Sequence, residues 1–192
     1  MAGWNEEIKK ELGSCGNNVF IGHNVIFTNP KNVHLGNNVR IDPFTLITTA
    51  LETGDNIQIC SHVVLGGGSQ HKITLGNWCF IGYGSKLFCA SEDYSGDEGP
   101  VNEFWGGNKI YRGNIVFNSY AGIASDVMVM PGVTLPEGCT VGAKSFVYTK
   151  NELTSWSVWI GNPIKLHKER NKERILELSQ SSDFCKYKNN EK

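Results

Sequence analysis

Five histidines, at positions 23, 34, 62, 71 and 167, are the side chains of this sequence best suited to take a proton at neutral pH. His62 stands shortly before a Gly-rich stretch, GGGSQHK at 66–72, and His71 lies within it. A histidine placed near a backbone N–H donor has the parts for general-base chemistry at a carbonyl: one group takes the proton, the other holds the developing oxyanion. GGGS itself is not a phosphate loop, because the Lys-Ser/Thr pair and the strand–helix context are missing. Its glycines serve a tight turn or present an N–H as an oxyanion donor. The six cysteines at 15, 60, 79, 89, 139 and 185 include no C-x-x-C pair, so neither a zinc knuckle nor a thioredoxin-like site is indicated. They read as reduced thiols, several packed as small hydrophobes, and no metal site is expected.

The elements that position these groups show as a count in sixes. VMPGVT, LPEGCT and VGAKSF follow one another at 129–146, and FNSYAG and IASDVM precede them at 117–128. Upstream stand IGHNVI (21–26), LGNNVR (35–40), IDPFTL (41–46), ICSHVV (59–64), LGNWCF (75–80) and IGYGSK (81–86). The first place is nearly always aliphatic and the fifth compact, while Gly is frequent between them. Neither a helix nor a flat strand repeats in sixes. Two inward positions per six residues, separated by a tight corner, make a short strand and a turn. Three such units close one triangular coil, and stacked coils form parallel sheets about 4.8 Å apart. The expected fold is therefore an all-β solenoid, with a coil domain over 17–162, an N-terminal helical cap over 1–16 and a C-terminal helix with a frayed tail over 163–192. Asn5 is the expected cap of the first helix, which runs to Leu12 with Trp4, Ile8 and Leu12 at helical spacing.

Function is expected where the count fails. It slips at TNPKN (28–32) and at GGGSQHK, then stops after Leu87 until Phe117, leaving a long loop over about 88–116. The aromatic residues of this arm, Tyr94, Phe104, Trp105 and Tyr111, make it a clasp between subunits, a wall of an acceptor site, or both. His62 occupies the fourth, outward place of ICSHVV and is favoured over His71 as the base. Glu92 and Asp93 can orient an imidazole or bind hydroxyls, or serve only as solvated loop acids.

With 18 basic and 19 acidic residues the chain has no electrostatic case for nucleic acid. No apolar run approaches the length of a membrane span, and the acidic, amphipathic start has no apolar signal region. A cytoplasmic location is expected.

These hexads resemble those of the hexapeptide-repeat acyltransferases. The resemblance covers roughly 17–170, and its most specific part is VMPGVTLPEGCTVGAKSFVYTKNEL followed by SVWIGNPIK. ASEDYSG at 90–96 is similar to a branch that acetylates sugars for surface polysaccharides. The resemblance implies a left-handed parallel β-helix, a homotrimer, acetyl-CoA as co-substrate and a sugar acceptor, with N- and O-acetylation both open. It implies cofactor contacts at Ser125, Ala143, Thr149, Lys150 and Lys165. One residue beyond the family pattern, Tyr148, precedes the Thr-Lys pair. Lys144 reaches the cofactor phosphates or solvent, and Trp156 and Trp159 stack on adenine or pack the last coil. On the acceptor side Glu92, Asp93, Tyr94 and Trp105 are the expected contacts. Some members carry their base in the extended loop, and here that loop has no histidine. Two other classes share the coil. A γ-type carbonic anhydrase needs three zinc-binding histidines, whose close pair spacing is missing here, and a non-catalytic trimeric scaffold needs no cofactor ending.

Overall fold

The computed structural model describes residues 5–93 and 109–181. The chain winds through three parallel sheets that form the sides of a triangular prism. The first face stacks Ser14–Cys15, Val33–Leu35, Ala50–Thr53, Lys72–Leu75, Ile115–Phe117 and Thr134–Leu135. The second stacks Phe20–Ile21, Val39–Ile41, Ile57–Ile59, Phe80–Ile81, Gly122–Ile123, Thr140–Val141 and Ser157–Gly161. The third stacks Ile26–Phe27, Leu46–Ile47, Val64–Gly66, Lys86–Phe88, Met128–Val129 and Phe146–Val147.

Each place of the hexad has one physical task. The first places fill the prism: Ile21, Leu35, Ile41, Ile59, Leu75, Ile81, Phe117, Ile123, Val129, Leu135 and Val141 are all buried. So are the fifth places, from Val25 through Thr45 and Ser85 to Ser145. Because every coil hydrogen-bonds to the next, the core is one continuous apolar column. The second place lies against the neighbouring coil. A Cβ on Gly36 would stand 2.4 Å from the carbonyl oxygen of Gly54, and one on Gly82 would stand 2.4 Å from the carbonyl carbon of Ala124. Glycine is required there for close approach. The Gly36→Ala variant is expected to lose about 1–3 kcal/mol, read as a lower urea midpoint at unchanged slope. An unchanged midpoint would mean that the coils can part without cost.

The fourth place turns the corner in the left-handed region. Residues as unlike as Asn38 (φ 55°), Phe44 (φ 63°), Trp78 (φ 61°) and Lys144 (φ 58°) adopt it. Asn18, Asn56 and Trp156 do the same and mark three further corners, in CGNNVF, TGDNIQ and LTSWSV, that the hexad count passes over. On the first–second corner the asparagines form a ladder, Asn18 donating to Asn38 at 2.8 Å and Asn38 to Asn56 at 3.1 Å. Higher up, Trp78, Tyr120 and Trp156 stack along the same corner.

Several boundaries differ from expectation. The N-terminal helix is only a 3-10 turn, Ile8–Glu11, whose Ile8 N–H meets Asn5 Oδ1 at 3.4 Å; Trp4 lies outside the described residues. The chain after Pro163 is not helical at first. Ile164–Glu169 folds back as an antiparallel strand on Ser157–Gly161 and covers the open edge of the second face. The expected boundary at 162/163 thus falls in the turn of a hairpin that belongs to the coil. The helix itself is Lys172–Gln180, with Asn171 Oδ1 accepting from the Arg174 N–H at 2.9 Å. Arg170 fastens this segment by donating to the carbonyls of Tyr120 and Gly138. The arm leaves the coil after Phe88, close to the expected bounds of about 88–116. Ala90–Glu92 and Ile110–Arg112 pair as its antiparallel stem, and the coil resumes at Ile115. Among the described residues no helix is long and apolar enough to cross a membrane.

Candidate functional site

The candidate residues gather on two different corners. On the corner between the second and third faces, Ser61, Tyr83, Ser125, Ala143 and their fourth-place neighbours stack coil on coil. The Gly84 N–H donates to Ser61 O, that of Asp126 to Tyr83 O, and that of Lys144 to Ser125 O. His62, Ser125, Ala143 and Lys144 therefore share one edge of the prism. The His62 ring is exposed and stacked on Phe44, with centroids 5.2 Å apart, and has no hydrogen-bond partner among the described residues. Above Ala143 the terminal hairpin closes the coil. Ile160 lies over Gly142 and pairs with Lys165, which is exposed at this end of the second face.

The other corner joins the third face to the first. Here the slip at 66–72 is a turn in which Gly67 (φ 127°) and Gly68 (φ 71°) take conformations open to glycine. Thr49 Oγ1 holds this turn by donating to the carbonyls of Gly68 and His71, each at 2.8 Å. A Cβ on Gly67 would meet Cys89 and the Ala90 nitrogen, so the arm leaves the coil directly against this turn. At Gly68 nothing lies within 4 Å of where a Cβ would stand. The half-buried His71 ring lies 3.3 Å through Nδ1 from Asn114 Oδ1, at the point where the arm rejoins the coil. In the stem, the Asp93 N–H donates to Lys109 O at 2.8 Å, and the Tyr111 hydroxyl donates to Asp93 Oδ2 at 3.3 Å. Glu92 pairs with Ile110 across the stem. Further up, Gly113 packs on Gly132, and Thr149 lies over Gly132 in turn, with Lys150 exposed beside it. Tyr94 and Trp105 lie outside the described residues.

His62 and His71 therefore do not share a site on one chain. They stand at opposite ends of Val64–Gly66, His62 with Ser125, Ala143 and Lys144, and His71 with Glu92, Asp93, Thr149 and Lys150. Trp156 is in neither group: it packs on Tyr120, carries Lys172 over its ring at 5.3 Å and fills the space above Gly138. His34 bonds to Ser14 on the first face, 3.0 Å from Nδ1 to Oγ. Burial pushes the Cys79 thiol up to about 12 and that of Cys139 up to about 11, so neither is a nucleophile at neutral pH. Among the described residues no three His, Cys, Asp or Glu side chains are grouped to hold a metal ion. Asn114 and Thr49 were not among the residues expected at the site; the one signal for Asn114 is its place at the end of the broken stretch.

No family model matches the chain. A dTDP-4-amino-4,6-dideoxy-D-glucose acyltransferase of Escherichia coli is 32% identical over 180 residues, 88% of each chain. The crystal structure of AntD, an N-acyltransferase from Bacillus cereus in complex with dTDP and 3-hydroxybutyryl-CoA, superposes with a TM-score of 0.83 at 28% identity, covering 98% of this chain and 100% of that one. A single-residue variant of AntD in complex with dTDP-4-amino-4,6-dideoxyglucose and coenzyme A gives 0.84 at 28% identity, over 97% and 99% of the two chains.

Proposed function

As the chain belongs to the left-handed β-helix acyltransferases that acylate sugars from an acyl-CoA donor, we propose that it moves acetyl from acetyl-CoA to the amino group of a nucleotide-linked amino sugar, in a groove completed between three copies of the chain. The observation that carries the finer reading is the match along nearly the whole chain to an N-acyltransferase that holds dTDP and an acyl-CoA. The carbonic anhydrase and scaffold alternatives have no counterpart among these relatives. An amine also suits the residues present. Its ammonium form loses a proton near pH 8, whereas a hydroxyl acceptor demands a far stronger base. The arm offers carboxylates, Glu92 and Asp93, rather than a histidine, and a carboxylate holds an ammonium group well.

The third face supports the assembly. Its outward side chains stack in register as Ile26, Leu46, Val64, Lys86, Met128 and Phe146. The same column on the first face reads Ser14, His34, Glu52, Thr74, Val116 and Thr134. Ile26 is 58% exposed, and Phe44, Tyr83 and Tyr148 are exposed at the borders of the third face. An uncovered apolar face of this kind marks a contact. Three prisms packed by this face around one axis close a ring. Each then sets its second–third corner against the third–first corner of the next. That juxtaposition brings Ser125, Ala143 and Lys144 of one copy, with Lys165 at the top, opposite His71, Glu92, Asp93, Thr149 and Lys150 of its neighbour.

In this groove His71 is the proposed base. It has an orienting partner, and the open turn at Gly68 leaves room beside it. The amine attacks the thioester carbonyl, a C–N bond forms and the C–S bond breaks. The amine proton passes to the imidazole and then to the departing CoA sulfur. His62, stacked on Phe44 on the cofactor edge, is the second candidate. The test offers acetyl-CoA with dTDP-4-amino-4,6-dideoxyglucose or with its 4-hydroxy counterpart, following thiol release and product mass. Acetylation of the amine alone is the expected result. Transfer to the hydroxyl compound alone would overturn N-acetylation, and failure to bind acetyl-CoA would return the chain to a scaffold.

A further inference from the structure

We infer that Asn114 is a positioning residue that locks the proposed base in one tautomer, with the proton on His71 Nδ1 and the lone pair of Nε2 turned to the acceptor amine; this rests on the assignment of His71 as base. Asn114 Oδ1 accepts the backbone N–H of Lys72 at 3.0 Å. A backbone N–H can only donate, so the amide is fixed with its oxygen on this side. His71 Nδ1 lies 3.3 Å from the same oxygen. An oxygen acceptor requires a proton on Nδ1, which leaves Nε2 of the neutral ring as the basic nitrogen.

The anchoring is two-sided. The backbone of His71 is held by Thr49, and Lys72 opens the strand Lys72–Leu75, whose neighbour Ile115–Phe117 begins immediately after Asn114. Next to Asn114, the Gly113 N–H donates to Cys89 O at 3.0 Å and closes the foot of the arm. The residue that ends the arm thus also sets the ring. An acceptor seated by the stem and a base aligned by Asn114 share one support, so loosening that support costs turnover more than donor binding.

The experiment compares Asn114→Ala, Asn114→Asp and His71→Gln in the full chain, with nitrogen-15 histidine spectra, kcat and KM for acetyl-CoA, and melting temperature as a check on folding. Wild type is expected to show His71 as the Nδ1–H form. Asn114→Ala is expected to mix the tautomers and lower kcat about tenfold or more with little change in KM, within the range a misaligned base allows. Asn114→Asp keeps an oxygen for both N–H groups and is expected to retain the tautomer and a kcat within a few-fold of wild type. If Asn114→Ala misfolds, the wild-type spectrum and Asn114→Asp still decide. An Nε2–H ring in wild type, or mixed tautomers at full kcat in Asn114→Ala, would overturn the inference. A fully active His71→Gln would instead remove the base assignment on which it rests.

Discussion

His71→Gln is expected to transfer acetyl at a kcat about 10²–10⁴-fold below wild type, the range that one general base contributes, or about 3–5 kcal/mol of transition-state stabilisation. Glutamine is close in length and its amide NH₂ can still donate to Asn114 Oδ1, so the turn at Gly67 and Gly68 stays in place. KM for acetyl-CoA should change little, because the proposed donor contacts Ser125, Ala143 and Lys144 stand on another corner of the prism, and Thr149, on the His71 corner, lies coils above it over Gly132. His62→Gln is the informative partner. Among the described residues its ring has only the stack on Phe44, and an effect of a few-fold is expected. The reverse ranking would move the base to the cofactor edge. Full activity in both would mean that positioning an amine that has already lost its proton to solvent is sufficient for transfer.

How far the sequence leads to this point is clearest position by position. The inward first and fifth places of the hexads are legible because burial dictates residue size there, and Val133, Cys139 and Ser145 are all buried at fifth places. The left-handed fourth place is far less legible. Asn and Gly signal it, but Phe44, Trp78 and Lys144 adopt it through the hydrogen bonds of stacked coils, a constraint that no single residue reveals. KLHKE at 165–169 has the charged composition of a helix and becomes a strand because the open edge of the second face requires a partner. The two histidines flank the frame break in sequence. Yet a strand lies between them, and a strand in this fold is one side of a triangle. Sequence proximity thus became spatial separation, and only the corner each residue turns decides its company. Asn114 carried no motif at all; its role comes from the coil that it rejoins.

Replacing Leu46 or Met128 by aspartate is expected to break the assembly and abolish transfer together. Both side chains sit in the outward column of the third face, in strands Leu46–Ile47 and Met128–Val129. They do not belong to the prism core, so the separate chain keeps its coils and its far-ultraviolet dichroism. Three unpaired carboxylates per ring, pressed into an apolar face, cost more than such a face returns. Sedimentation should show a monomer, with activity below about one hundredth of wild type because neither corner alone holds both substrates. Thr134→Asp, exposed on the polar first face, should leave assembly and activity intact. A sharper arm tests whether the groove is composite. His71→Gln is mixed with a chain whose cofactor edge is blocked at Ala143 by tryptophan, after dissociation and reassembly. Each variant alone is expected to be inactive, yet about one quarter of the grooves in a random mixture join two intact corners. Activity regained to that level places His71 and Ala143 of different copies in one site. No recovery, in mixed assemblies shown to have formed, would confine each site to a single chain and leave the apolar face with a purely structural part.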